Sequence, residues 1–237
     1  MQAVADGTTL PGWRDFERTV AAAFNGLAQE SKAIFDVLMP EPEVIGIYAG
    51  ISCKMRRELD RIARDGRVTL ELSNSAGKFW DHLATFGITQ ANYKTRPAEV
   101  GAALLQLVHQ WHEEVSTANG GSVDLARSFY LSLMWNRRAQ YQLHQFALPL
   151  PNEADLNWHF PARNEVVGRC LRGDDNNGTI IEWYGESGGQ LKYYPFARNA
   201  LWQSDIFTLE ALVAGDYGLQ KKASVYFPER WTATDED

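Results

Sequence analysis

The chain has 237 residues, 45% of them hydrophobic and 12% aromatic with eight Trp, which is enough apolar surface to bury a core and too much for a disordered chain. Its 23 basic and 30 acidic residues leave a formal charge of -7, which excludes a general polyanion-binding surface and confines any phosphate contact to a local site. The two cysteines, Cys53 and Cys170, exclude a zinc cluster or a disulfide framework and suit a reducing, cytoplasmic location.

The opening stretch MQAVADGTTLPGW has neither a basic n-region nor an apolar h-region, and no apolar run reaches the roughly 20 residues of a bilayer span, so an unexported protein without a membrane partner is expected. Trp13, Phe16, Val20, Phe24, Leu27, Ile34, Phe35 and Leu38 form one stripe at helical spacing, which predicts a helix over about 13–39 closed by Pro40. EVIGIYAGIS (43–52) reads as a buried strand. KMRRELDRIAR (54–64) places Met55, Leu59 and Ile62 at helical spacing, and RVTLELS alternates Val68, Leu70 and Leu72 as a half-buried strand does.

GKFWDHLATFG (77–87) reads as a short helix. A longer one starts at Pro97 with Val100, Leu104, Leu107, Val108, Trp111 and Val115 on one face. NGGS (119–122) ends it, and Ser122 is the expected N-cap of a further helix in which Leu125/Ala126, Phe129/Tyr130 and Leu133/Met134 step by four. That helix runs through Trp135-Asn136-Arg137-Arg138 into a strand where Ala139, Tyr141 and Leu143 alternate with Gln140, Gln142 and His144. The phase then slips towards Phe146 and Leu148, as at a bulge. GDDNNG (173–178) and GESGGQ (185–190) read as turns, DIFTLEALVAG as a capped helix from Asp205, KKASVYF as a final strand and TATDED as a frayed tail. The expectation is one α+β domain over 1–237.

Three constellations bear on chemistry. His109 and His112, at i and i+3 with Glu113 beside them, can share a metal, but their order departs from H-E-x-x-H and no third ligand lies nearby, so the sequence assigns no metal. No nucleophile elbow and no glycine-rich phosphate loop is present, so it assigns no catalytic residue and no cofactor, and a metal hydrolase built on the two histidines is the least favoured reading. Lys54 to Arg67 holds six basic and three acidic residues where a strand turns into a helix. Cations and main-chain N–H groups can meet a phosphodiester there, and the same run also suits a solvated helix face with pairs such as Glu58 and Arg61.

GISCKMR (Gly50 to Arg56) resembles a segment of the guide-RNA-binding backbone subunit of type I-F (Csy) CRISPR effector complexes and its type IV relatives. EVGAALLQLVHQW with DLARSFYLSLMWNRRAQYQL is similar to that family's helix pair, and TIIEWYGESGGQLKYY with DIFTLEALV to its late strand–loop segment and helix. The resemblance implies a modified RRM-like (ferredoxin-like) palm with additional helices, non-enzymatic, whose copies associate along guide RNA beside other effector subunits. It implies phosphate contacts from Lys54, Arg56, Arg57, Arg137 and Arg138, with Ser52 and Asn136 adding hydrogen bonds. Its alternative is a family-derived mimic, anti-CRISPR-like, that binds the effector subunits.

Overall fold

The computed structural model describes residues 2–3, 9–10, 12–29, 34–163 and 166–209. The strand KKASVYF, the tail TATDED and the part of DIFTLEALVAG after Leu209 lie outside the described residues. The chain forms a mixed α+β structure. After a short ladder of β1 (Gln2–Ala3) with β2 (Thr9–Leu10), helix α1 (Trp13–Ala23) leads into an antiparallel meander of β3 (Leu27–Ala28), β4 (Val37–Pro40) and β5 (Tyr48–Arg56). The chain then leaves through α2 (Leu59–Asp65), β6 (Leu70–Ser73), α3 (Ala76–Thr85) and α4 (Pro97–Val115). It returns as β7 (Phe129–Trp135), parallel to β5 and adjacent to it.

β8 (Gln140–Ala147) folds back on β7 as a hairpin. There follow β9 (Asn157–His159), a two-residue ladder of β10 (Ala162–Arg163) with β11 (Val166–Val167), β12 (Leu171–Asp175), β13 (Gly178–Tyr184) and β14 (Gln190–Tyr193). Finally β15 (Trp202–Gln203) and β16 (Phe207–Thr208) both pair with β8. Besides the two short ladders, the described residues form two larger sheets: β15-β8-β7-β5-β4-β3 with β16 beside β8, and the antiparallel β6-β14-β13-β12-β9.

The first sheet is a middle layer, because β7 is apolar at nearly every position and buries both faces. Leu131 and Leu133 pack with Val37, Ile51, Cys53 and Tyr141 against Phe16, Val20 and Ala21 of α1. Tyr130 and Met134 pack on the other face with Leu59, Ile62, Val68, Phe146 and Leu148. The second sheet carries its own core, in which Leu171, Ile181, Trp183 and Leu191 meet Phe79 and Leu83 of α3 and Val100, Leu104 and Leu107 of α4.

Several expectations are corrected. The helix expected over 13–39 ends at Ala23, where Asn25 takes φ 51° and a Cβ at Gly26 would meet the Leu38 carbonyl oxygen at 2.9 Å. Phe35 and Leu38 continue the helical stripe in sequence because they pack in a core from the β4 region. The helix expected after Ser122 is a single 3-10 turn, Leu125–Arg127, followed by strand β7. A continuous apolar run satisfies a four-residue step as well as a two-residue one.

The Trp135–Arg138 corner is therefore the turn of a β-hairpin, with Ala139 at φ 54°. No bulge interrupts β8, whose register runs unshifted from Tyr141 to Ala147, since Tyr141 is buried on one face and Phe146 on the other. β5 begins at Tyr48 rather than Glu43 and runs on to Arg56, so Lys54 and Arg56 belong to the strand. At Asp205 no helix starts, since the chain extends into β16. The helices over α3 and α4, strand β6 and both glycine turns stand as expected, with Gly178 at φ 99° and Gly188 and Gly189 at 80° and 66°.

His144 is fully buried in β8, its two ring nitrogens lack partners among the described residues, and burial lowers its pKa to about 4. Since the unfolded imidazole titrates near 6.5, stability is complete above about pH 6.5 and falls as the pH drops towards 4, because only the unfolded chain takes up the proton. By that linkage the site is expected to lose about 2 kcal/mol between pH 7 and pH 5. Urea denaturation of His144→Leu at both pH values checks this: the variant should show a shallower acid loss, and parallel losses would reject it.

Candidate active site

β5 lies between β4 and the parallel strand β7, and β4 pairs with it only as far as Ile51, so the edge of its C-terminal half is open on that side. Asp36, immediately before β4, donates its backbone N–H to the Ile51 carbonyl at 3.1 Å and turns its carboxylate onto β5. There Oδ2 accepts from the Cys53 backbone N–H at 2.7 Å, from Ser52 Oγ at 3.4 Å and from Lys54 Nζ at 3.4 Å. The Asp36 and Lys54 side chains remain 28% and 16% exposed, so the pair borders solvent.

Glu17 completes the constellation from α1. Its neighbours Phe16 and Val20 are buried against the sheet, which leaves Glu17 at the boundary of the core. Burial and then the Asp36 carboxylate push its pKa up to about 7, against the opposing pull of Lys54, Arg14 and Arg18. The Asp36 carboxylate and the Lys54 ammonium thus pair across two elements, and the Asp36 charge reaches Glu17 on a third.

The seven residues expected to touch RNA fall into two groups. Ser52 is buried and holds Asp36, and Lys54 pairs with Asp36, so both belong to this site. Arg56, on the same strand, is held by Glu58 at 3.2 Å and Glu71 at 2.9 Å. The rest cluster at the β7–β8 hairpin. Asn136 is buried as its brace: Nδ2 donates to Asp60 at 2.9 Å and to Gln140 at 3.0 Å, while Oδ1 accepts from the Arg138 backbone N–H at 3.0 Å. Arg138 pairs with Asp60 at 2.8 Å.

Arg57 lies over the Trp135 ring at 5.8 Å, and both line a small cavity with Arg137. At about 3.3 Å per residue, Arg57 stands roughly 10 Å along the chain from Lys54, about one to two phosphate spacings of a nucleic-acid strand. The corner is thus a hairpin tip beyond the Asp36–Lys54 pair.

The histidine pair does not form a ligand set. His109 is exposed and 3.9 Å from Glu113, whereas His112 is buried, stacked on Phe35 at 5.6 Å and lowered to about pKa 4 by burial, His109 and Lys54. Among the described residues no three His, Cys, Asp or Glu side chains converge as a metal cage. Glu17 and Asp36 supply two carboxylates, which suits Mg²⁺, a cation commonly held by one or two carboxylates and completed by water and substrate phosphate oxygens.

Sequence reasoning singled out Lys54 and Ser52 but missed Asp36 and Glu17, which lay inside the expected long helix. The available signal was a lysine following a buried stretch of β5, since a charge is rarely placed against a core without a partner. No family model, curated protein or solved structure matches the chain. Among the described residues no helix is long and apolar enough to cross a membrane.

Proposed function

We propose that the protein is a divalent-cation-dependent nuclease, cleaving a nucleic-acid phosphodiester at Glu17, Asp36 and Lys54. The observation that carries this is the Asp36–Lys54 pair on β5 beside the parallel strand β7, with Glu17 of α1 close enough for the Asp36 charge to raise its pKa. Asp36 and Glu17 would hold the cation, which would supply neutralisation of phosphate charge and activation of a water. Lys54 donates to the phosphate oxygens as negative charge grows in the transition state. Ser52 and the Cys53 N–H fix the Asp36 carboxylate, and Arg57 and Arg137 contact the flanking backbone, which needs cations but no base code. Local placement of these cations answers the net charge of -7.

The ordered family-like blocks and the basic run from Lys54 to Arg67 support a second reading, a guide-RNA-gripping CRISPR subunit on an RRM-like palm or its mimic. Two features favour cleavage over it. Arg56 and Arg138 are each engaged by carboxylates rather than left for phosphates. The adjacent strands β5 and β7 are parallel, whereas a split βαβ palm places another strand between its parallel pair.

The test is to incubate the full chain with labelled single- and double-stranded DNA and RNA in Mg²⁺ or Mn²⁺. Cleavage abolished by chelator and by Asp36→Asn supports the proposal. Co-elution with intact guide RNA in a nuclease-resistant particle would overturn it in favour of the subunit, and RNA-free capture of effector subunits in favour of the mimic.

The raised Glu17 pKa sets the pH dependence. At sub-saturating Mg²⁺, cleavage is expected to climb from pH 6, reach its midpoint near pH 7 and level off above about pH 8, as the carboxyl ionises. Without metal the sign for stability is opposite. The folded state keeps its proton up to about pH 7 while the unfolded state releases it near 4.5, so the cost of burying the charge is complete only above about 7. Glu17→Gln should therefore raise Tm at pH 8 relative to the parent, converge with it near pH 4, and lose the rising limb of the rate profile. A parent-like profile in the variant would remove Glu17 from the site.

A further inference from the structure

Beside the Asp36–Lys54 pair, and sharing Ser52 with it, a cleft of about 630 Å³ runs between α3, α4 and the floor of the first sheet. Its volume falls within the range of pockets that take a small planar ligand. Trp111 on α4 offers an indole wall, with Lys78 Nζ 5.5 Å from the ring centroid. Tyr130, 2% exposed, lines the floor, and its hydroxyl has no hydrogen-bond partner among the described residues. His82 Nε2, on the α3 wall, is likewise buried without a partner.

An orphaned buried hydroxyl and ring nitrogen each cost free energy in the free protein unless a ligand meets them. Asp81 and Glu114 also line the cleft, so it repels phosphate and accepts hydrogen bonds from amino groups. An aromatic wall, hydrogen-bonding groups and acidic side chains form a poor phosphate site and a good one for the base attached to that phosphate.

We infer that this cleft holds one unpaired nucleobase of the strand whose phosphodiester lies at Lys54, with the base against Trp111 and its edge towards Tyr130 and Asp81. The inference rests on the nuclease reading for the position of the phosphate. A base held there has left its helical stack, as in enzymes that extrude a nucleotide, so the protein acts on single-stranded or locally opened nucleic acid.

The experiment is fluorescence anisotropy of the full chain, with Ca²⁺ replacing Mg²⁺ to prevent turnover. Two labelled strands of about 12 nucleotides with equal phosphate number are compared: a mixed-sequence oligodeoxynucleotide and an abasic strand of tetrahydrofuran residues. The base-bearing strand is expected to bind at least about tenfold tighter, within the range of base–aromatic stacking. Tyr130→Phe, which removes only the unpartnered hydroxyl, should cut that advantage about fivefold and leave abasic binding unchanged. Tyr130→Phe should melt at or above the parent's Tm, because it removes the unpaired hydroxyl.

Equal affinity for the two strands, or an advantage untouched by both Tyr130→Phe and Asp81→Asn, overturns the base pocket. Parallel assays in Mg²⁺ separate the two readings. If the strands bind alike and an ordinary oligonucleotide is still cut, the base pocket alone fails, and if nothing is bound or cut, both fail.

Discussion

Lys54→Ala is expected to slow phosphodiester cleavage about 10²–10³-fold, the usual effect of deleting one donor aimed at developing negative charge. The loss should fall on kcat, because the ammonium is needed most when charge accumulates on the phosphate. Its removal has a second effect. Asp36 now shares its carboxylate between Lys54, Ser52 and the Cys53 N–H, and without the lysine it faces an incoming cation with one competitor fewer.

The apparent affinity for Mg²⁺ is therefore expected to rise while the rate collapses, a combination that general unfolding does not produce. Single-turnover rates over a Mg²⁺ titration would read both quantities, with Tm as the control. Lys54→Arg should rescue the ion pair better than the rate, since a planar fork does not place its donors where an ammonium does. A Lys54→Ala enzyme within a few-fold of the parent would remove the lysine from the chemistry and with it the proposed role of the constellation.

The legible parts of this chain were those with one period and one punctuation mark. Pro97 opens α4 where the pattern begins, and Gly178 and Gly188–Gly189 mark turns that need positive φ. Segments buried on two faces were not legible. β7 reads FYLSLMW, so the helical and extended periods are both satisfied and the choice falls to tertiary packing between α1 and the α2 side. The same ambiguity hid the site. Phe35 belongs to a core and fits a helical stripe, which absorbed Asp36 into a helix that ends at Ala23. Asp36 meets Lys54 only because β4 folds back on β5, and no short motif encodes that meeting. What the sequence did show was the anomaly of Ser52-x-Lys54 at the end of an apolar stretch.

Trp183→Ala is expected to destabilise the protein by about 3–5 kcal/mol, the range for removing a large aromatic side chain from a packed core. Trp183 is fully buried near the C-terminal end of β13, with ring centroids 5.1 Å from Trp80, 6.3 Å from Phe79 and 6.3 Å from Tyr93. A Cβ at Gly185 would collide with its ring, so the surroundings are shaped to the indole and will not collapse into the void. Its Nε1 has no partner among the described residues, so losing that donor offsets part of the cost, and the lower half of the range is the better expectation.

The consequence extends to function because Trp183 seats α3 and α4, whose Lys78, Asp81, His82 and Trp111 wall the cleft, whereas Glu17, Asp36 and Lys54 belong to the first sheet and α1. Mild destabilisation of the second core should therefore erase the preference for base-bearing over abasic strands at temperatures where the Asp36–Lys54 pair still supports cleavage. Urea titration should shift the midpoint and leave m unchanged if both sheets unfold together, whereas a lowered m would mean that the second sheet is already open in the variant. A cost below about 1 kcal/mol would show that the indole is not the keystone of the helical layer and that the cleft is supported from α4 and the first sheet alone.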